Sequence, residues 1–113
     1  MADEPLFVVR SVNGRTIRLT PTIWRKIQDD HLEFRETADY LAETQRTIED
    51  PDYLVVGWEG ADLALRWCDI APKGPKHLAV VYRELDGEGF IITAFFVSRH
   101  ERLLRRGITW QRT

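Results

Sequence analysis

The side chains with the clearest capacity for chemistry are three histidines and one cysteine. They are His31, Cys68, His77 and His100. No histidine has a second histidine or a cysteine at the spacing of a metal site, so we expect neither a metal nor another cofactor. His31 follows Asp30 and precedes Glu33, and an imidazole among carboxylates suits proton transfer near neutral pH. The alternative is a histidine at a helix end, where the helix dipole favours it.

Cleavage of RNA by attack of its 2′-hydroxyl needs a base, an acid and a cation, and it needs no metal. His31 supplies a titrating group, and Lys76 or Arg66 supplies a cation. Thr93 supplies a hydroxyl in the middle of the apolar segment Gly89–His100. The alternative for Thr93 is structural, because β-branched threonine suits the middle of a strand. These residue types permit such chemistry without requiring it.

Three further residues are candidates for contact with RNA. Arg99 begins a run of arginines that could bind phosphate or could form an exposed turn of helix. Trp67 and Tyr82 could stack on bases or could belong to the core. Both interpretations stay open for each of them.

Charge is distributed unevenly along the chain. The net charge of −2 gives no general support for nucleic-acid binding. Residues 28–52 carry nine acids against two cationic residues, whereas residues 98–113 carry five arginines against one acid. The basic end could meet a polyanion or could neutralise the acidic segment in the fold. A single cysteine and the lack of an apolar run near ~18 residues predict a cytoplasmic protein with no membrane partner.

Turn residues and hydrophobic periodicity predict the order of the elements. Asn13-Gly14 predicts an N-terminal hairpin, and Thr20-Pro21 predicts the start of a first helix. A second helix follows over 33–50, and Pro51 ends it. Four strands joined by tight turns come next, with a helical turn and a last strand in the tail. The predicted strands are Tyr53–Trp58, Leu63–Ile70, His77–Glu84, Phe90–Val97 and, in the tail, Ile108–Trp110.

These elements predict the fold class. We expect a single α+β domain over residues 1–113. In it, the N-terminal β-hairpin and two helices pack on a four-stranded antiparallel sheet. The strand that carries Thr93 is apolar on both faces and is therefore expected at the centre of the sheet.

The turn at Asp86-Gly87 decides which side chains lie beside Thr93. A two-residue turn is the stronger signal, and we expect the register that it sets. That register places opposite or beside Thr93 the side chains of Val80, Tyr82 and Lys76. A three-residue turn shifts the pairing by one residue. The side chains that then join Thr93 are those of His77, Val81 and Arg83.

Four short motifs follow one another in an order that resembles a known family. They are Trp24-x-x-Ile27-x-x-x-His31-x-Glu33, Thr47-Ile48-x-x-Pro51-Asp52, Lys76-His77-Leu78-x-Val80-Val81-Tyr82 and Gly89-Phe90-Ile91-Ile92-Thr93-Ala94-Phe95-Phe96. Over about residues 7–111 the chain is similar to the phage-type branch of the barnase–EndoU–colicin–RelE nuclease superfamily. The resemblance implies N-terminal helices over a four-stranded antiparallel sheet and metal-independent ribonuclease activity. Many members of that superfamily are toxins.

The resemblance also implies site residues and partners. The family's catalytic positions fall on His31, Arg66, Lys76 and Thr93. RNA is the implied substrate, and a small antitoxin-like protein is a possible partner.

The chain departs from the family pattern in two of its motifs. It has Leu32 where the family has proline, and Phe95 and Val97 replace a tyrosine and a second threonine. The sequence therefore predicts either a small metal-independent ribonuclease or a weakened or inactive nuclease-fold module. That module would bind RNA or a partner protein.

Overall fold

The computed structural model describes residues 4–113, which form seven strands, three α-helices and a 3₁₀ helix. In chain order they are β1 (Phe7–Arg10), β2 (Thr16–Leu19), α1 (Pro21–Asp30), the 3₁₀ helix (Leu32–Arg35), α2 (Asp39–Glu49), β3 (Tyr53–Val56), β4 (Asp62–Cys68), β5 (Lys76–Glu84), β6 (Gly89–Val97), α3 (Glu101–Leu104) and β7 (Ile108–Gln111). The predicted α+β class is confirmed. No helix among the described residues is long and apolar enough to cross a membrane.

The N-terminal hairpin and α1 form at the predicted positions, but the hairpin loop has three residues, Val12–Gly14, rather than the predicted two-residue turn at Asn13-Gly14, because Ser11 pairs with Arg15. Gly14 has a φ of 81°, which a residue without a Cβ adopts easily. The Thr20 hydroxyl accepts a hydrogen bond from the Ile23 N–H at 3.3 Å, and Pro21 is the first helical residue. These are local signals, and the sequence window around each of them is sufficient to predict it.

The predicted second helix over 33–50 is interrupted. The chain first forms the 3₁₀ helix, and α2 begins only at Asp39. The Thr37 hydroxyl accepts a hydrogen bond from the Asp39 N–H at 3.2 Å, and such side-chain bonds compete with helical hydrogen bonding. The Glu36 N–H donates to the Glu33 carbonyl at 3.1 Å, as in a 3₁₀ helix. The break separates both glutamates from α2.

The sheet is larger than predicted, and it is mixed rather than wholly antiparallel. Its strand order is β1-β2-β6-β5-β4-β3-β7. The four predicted strands form an antiparallel centre, while the N-terminal hairpin and β7 extend the two edges. β2 pairs parallel with β6 over Ile17 and Arg18 only. Gly89 permits this approach, because a Cβ there would lie 2.6 Å from the Ile17 Cδ1 atom and 2.5 Å from the Arg83 carbonyl oxygen.

β5 and β6 pair in both predicted registers, one on each side of a β-bulge. Near the turn, Tyr82 lies opposite Ile91, as the two-residue turn predicts. Ile92 is then an extra residue in β6. Beyond it, Thr93 lies opposite Val81, as the shifted register predicts.

The expected pairing of Thr93 with Val80 is therefore wrong, and so is the expected face. Side chains along a strand alternate between faces. Thr93 consequently shares a face with His77, whereas Lys76 and Tyr82 point to the other side of the sheet. The bulge follows from cross-strand packing, and a turn motif alone does not report it.

The sheet carries an apolar core on each face. The helix face is covered by α1, the 3₁₀ helix and α2. Buried residues of its core include Ile17, Ile27, Phe34, Ile48, Leu54, Leu78 and Tyr82. The opposite side, here called the open face, has a smaller core under α3. Its members are Val55, Ala61, Leu63, Leu65, Ala79 and Val81, with Leu103 and Leu104 packed against them.

Candidate functional site

A cavity of about 370 Å³ opens at the end of the sheet where β5 begins and β6 ends. The residues that line it come from the 3₁₀ segment, the loop before β5 and the two strand ends. They are Glu33, Glu36, Pro72, Lys73, Lys76, Phe96 and Ser98. We call this the mixed-charge cavity. Lys76 is the first residue of β5, so its side chain reaches the cavity from the helix face of the sheet.

The four charged side chains of this cavity lack ion-pair partners among residues 4–113. Neither lysine has a carboxylate within 4.0 Å, and neither glutamate has a cation within that distance. Several aspartates of the acidic segment are paired, whereas Asp39 and Glu49, like the cavity glutamates, have no ion pair within residues 4–113. The aspartate pairs include Asp29–Arg35, Asp30–Lys26, Asp50–Arg66 and Asp50–Arg112. Charges of both signs are therefore available to a ligand in the mixed-charge cavity.

Lys73 is held in a left-handed backbone conformation with a φ of 62°. Such a conformation costs a residue with a Cβ about 1–2 kcal/mol. Glu59 is the one other described non-glycine residue with a positive φ. Backbone strain of this kind tends to occur at functional sites. The loop thus places a lysine at the cavity in a backbone conformation that glycine would adopt more easily.

His31 does not line the mixed-charge cavity, although Glu33, two residues later in the chain, does. Its N–H donates to the Ile27 carbonyl at 2.9 Å and ends α1. Its ring contacts Phe34 and Phe95, with centroids 6.4 and 6.3 Å away. The predicted acid or base is therefore next to the aromatic side chain of Phe95.

Arg66, the predicted strand cation, is already engaged. Its guanidinium donates to the backbone carbonyl of Asp50 and lies 3.2 Å from the carboxylate of the same residue. This contact satisfies a carbonyl at the end of α2. Arg66 is on the helix face, as Lys76 is, but it does not line the mixed-charge cavity.

Thr93 is separated from both cations by the sheet. It is half-buried on the open face. The structure therefore does not gather His31, Arg66, Lys76 and Thr93 in one cleft. It brings Lys76 together with two glutamates and a second lysine instead, and His31 is two residues from the first of these glutamates in the chain.

The three predicted RNA contacts have different surroundings. Tyr82 is fully buried, its hydroxyl has no partner within residues 4–113, and burial raises its pKa, so of its two open interpretations the structure favours the core. Trp67 is 48% exposed, and its indole N–H donates to Asp69 at 2.9 Å, so the ring is both oriented and accessible. Arg99 is exposed. The roles of Trp67 and Arg99 stay predictions.

A second cavity, of about 350 Å³, opens on the other side of the same sheet end. It is lined by Asp52, Tyr53, His77, His100, Gln111 and Arg112. We call it the imidazole cavity, because His77 and His100 stack with centroids 3.9 Å apart and planes at 22°. Trp67 contacts His77 edge-on at 5.2 Å, and Tyr53 lies 6.0 Å from His100. Four rings thus form one row.

His77 is 9% exposed, and its ring nitrogens make no hydrogen bond with the described residues. Burial lowers the pKa of His77, and the nearby His100 lowers it further, against the opposing effect of Asp52 and Glu101. The ring is therefore neutral at neutral pH, with one nitrogen that donates and one that accepts. Because His77 lines the imidazole cavity, one donor and one acceptor are available there to a ligand.

The importance of His77 and His100 was not predicted. His100 lies in a basic tail, where a solvated side chain is the ordinary expectation. The one available signal was the shifted strand register, which placed His77 on the face of Thr93. The stack itself depends on the docking of α3 and β7 on the sheet, and these contacts are distant in sequence.

Metal and thiol chemistry have no visible support within residues 4–113. No group of three His, Cys, Asp or Glu side chains there is arranged to hold a metal ion. Burial raises the pKa of the Cys68 thiol to about 11, so it is not a thiolate at neutral pH.

The fold and its cavities define an α+β domain with one mixed seven-stranded sheet and two sites at one end of it. Comparison of the chain with protein-family models, with curated proteins and with solved structures gives no match.

Proposed function

We propose that the chain binds single-stranded RNA at the mixed-charge cavity and cleaves it without a metal. The observation that carries this proposal is the set of four unpaired charged side chains around one cavity. Two ammonium groups suit the charge of a phosphodiester, and a carboxylate suits removal of a proton from the 2′-hydroxyl. The resemblance of the sequence motifs to the nuclease superfamily supports the same chemistry.

The proposed reaction uses residues of the mixed-charge cavity together with His31. Lys73 and Lys76 bind the non-bridging oxygens of one phosphate. Glu33 accepts the proton of the 2′-hydroxyl while O2′ bonds to phosphorus and the bond from phosphorus to O5′ breaks. His31 donates a proton to O5′, which is one of the two roles, acid or base, that the sequence suggests for it. The products are a 2′,3′-cyclic phosphate and a 5′-hydroxyl, so atoms and charge balance.

The test is cleavage of an end-labelled single-stranded RNA by the purified chain in the presence of a metal chelator. We expect products that end in a 2′,3′-cyclic phosphate and no cleavage of the 2′-deoxy analogue. Glu33→Gln removes the base with little change of shape and is expected to lower kcat by about 10²-fold or more. The matched control is Glu49→Gln, an exposed glutamate at the end of α2.

Lys76→Ala is the corresponding test of phosphate binding, and Lys26→Ala is its control on the surface of α1. We expect Lys76→Ala to raise KM and lower kcat. His31→Ala tests the acid, and its effect should shrink for a substrate whose leaving group needs no protonation. Wild-type cleavage no faster than that of Glu33→Gln and Lys76→Ala would overturn the catalytic proposal.

A second candidate function is RNA binding without cleavage. Three features favour it: Phe95 and Val97 lack hydroxyls, Arg66 is held by Asp50, and Thr93 lies on the open face. Binding by the two lysines would then give a slope of about −1.4 for log K against log salt concentration. A chain that neither cleaves nor binds RNA, and that co-purifies with one small protein, would favour the partner-protein alternative instead.

A further inference from the structure

The imidazole cavity combines an aromatic wall with a polar rim. Tyr53, His77 and His100 line the cavity, and because the two imidazoles stack on each other, Tyr53 and the side of His100 turned away from His77 remain as the wall for a ligand ring. Gln111 and Arg112, at the end of β7, supply the rim. An aromatic wall suits a flat ring, since aromatic and imidazole side chains pack on such rings without needing a particular sequence.

Several polar groups at this cavity have hydrogen-bonding capacity left over. The ring nitrogens of His77 have no hydrogen-bond partner within residues 4–113, and the small exposed part of this residue includes them, so they are open to the cavity. The Gln111 amide offers one acceptor and two donors and is likewise unpartnered among the described residues. Together they offer both donors and acceptors next to a flat apolar wall. The edge of a nucleobase presents the same mixture.

The charges around the cavity favour a neutral ligand over a phosphate. The Arg112 guanidinium lies 2.6 Å from the Asp50 carboxylate and 3.4 Å from that of Asp52. The Glu101 carboxylate lies 3.4 Å from His100 Nδ1. Carboxylates therefore surround the one arginine that lines the cavity. An isolated phosphate would meet these carboxylates, whereas an uncharged ring would not.

We propose that the imidazole cavity is a nucleobase-binding site, with the base packed on the ring wall and its polar edge bonded to His77 and Gln111. The cavity volume of about 350 Å³ admits a ring of this size. The base belongs either to a free nucleoside or to an RNA strand. This site does not depend on cleavage at the mixed-charge cavity, although Lys76 and His77 are neighbours in β5 and the two cavities flank one sheet end.

The experiment titrates the four uncharged ribonucleosides into the full chain and follows its histidine and tyrosine ring resonances by NMR. Ribose 5-phosphate and inorganic phosphate are the arms that lack a base. We expect at least one nucleoside to shift the signals of His77, His100 and Tyr53, with little dependence on salt and no shift of His31. Saturation by phosphate or ribose phosphate alone, or no shift with any nucleoside, would overturn the proposal.

Two variants with matched controls separate the hydrogen bonds from the fold. His77→Phe keeps an aromatic ring and removes the nitrogens, with His31→Phe as its control. Gln111→Leu changes an exposed residue of an edge strand, with Gln28→Leu as its control. Each site variant should weaken nucleoside binding by up to about tenfold. Site variants that fold and bind as well as their controls would contradict the assignment.

The source of the base is tested with a short RNA and with nucleosides on the same samples. If the base belongs to RNA, His77→Phe weakens RNA binding as well as nucleoside binding. If the ligand is a free nucleoside, only nucleoside binding is weakened. Loss of RNA cleavage in Glu33→Gln with unchanged nucleoside binding shows that the two sites are independent.

Discussion

The two cavities at the end of the sheet differ in how their polar side chains are held. The mixed-charge cavity has lysines and glutamates without ion-pair partners, one of them on a strained backbone. In the imidazole cavity the two histidines stack, and the arginine is bound to two aspartates. Unpaired flexible charges suit a charged and reacting ligand, whereas oriented rings suit recognition of a flat neutral one.

The largest expected effect is a reversal of phenotype between neighbouring residues of β5. Lys76→Ala should lower RNA cleavage by about 10²-fold and leave nucleoside binding unchanged. His77→Phe should weaken nucleoside binding and leave cleavage of a dinucleotide within about threefold. Parallel kinetics and titrations on both variants measure this. Equal loss of cleavage in both would show that the two cavities act as one site.

The next largest effect is expected on lowering the pH, which should distinguish the two cavities because only one of them contains stacked imidazoles. The folded-state pKa of His77 is lowered from 6.5, so its contribution to stability is present above that pH and is lost as the pH falls below it. Asp52, Glu101 and Arg112 are the charged groups that face the stack, and the two acids partly oppose the loss.

We expect the free energy of unfolding to fall between about pH 7 and pH 5, because the folded state opposes protonation of His77. His77→Phe should flatten that part of the profile, and His31→Phe should not. Denaturant unfolding at a series of pH values measures the difference. An identical acid profile for wild type and His77→Phe would show that the stack does not oppose protonation.

Lys73→Gly tests whether the strain at the mixed-charge cavity serves binding. Glycine adopts a φ of 62° more easily, so the variant should gain up to about 1 kcal/mol of stability and lose RNA affinity. Glu59→Gly is the matched control, since its φ of 51° predicts a similar gain without a change in RNA binding. Melting temperatures measure the stability of the two variants, and RNA titrations measure their affinity. A loss of stability in Lys73→Gly would argue against backbone strain at Lys73.

The smallest effect concerns the paired arginine. Arg112→Ala removes two exposed ion pairs and should lower the free energy of unfolding by about 0.5 kcal/mol, less at high salt. Lys76→Ala removes no pair and should leave stability near that of the wild type. Denaturant unfolding at low and high salt compares the two. Equal losses of stability in Arg112→Ala and Lys76→Ala would contradict the proposed difference in ion pairing between the two cavities.

Local sequence was sufficient for the parts of the fold that local chemistry determines. Thr20-Pro21 starts α1, Asn13-Gly14 turns the hairpin, and Asp86-Gly87 sets the register next to it. The parallel contact of β2 with β6 joins residues that are far apart in the chain, and no turn signal reports it. The same is true of β7, which lies near the C-terminal end of the chain and pairs with β3, in the middle of the chain.

The candidate site was predictable only in part for the same reason. Lys76 and the segment around His31 were identified from residue type, and the structure brings Glu33 of that segment to Lys76. Thr93 was misplaced because one extra residue in β6 reverses its face. The role of Lys73 depends on a loop conformation, and the imidazole stack depends on the docking of the tail.

Ile92, the extra residue in β6, has a consequence for strand design. Deleting Ile92 would leave Ile91 opposite Tyr82 and Thr93 opposite Val81, so each pairing partner would be retained on both sides. Ile92 therefore contributes additional twist and a contact with the open-face core rather than pairing. The two cavities depend on where β6 ends relative to the 3₁₀ segment and α3. A chain shortened by this one residue would keep its ladder of hydrogen bonds while its strand end points in a different direction.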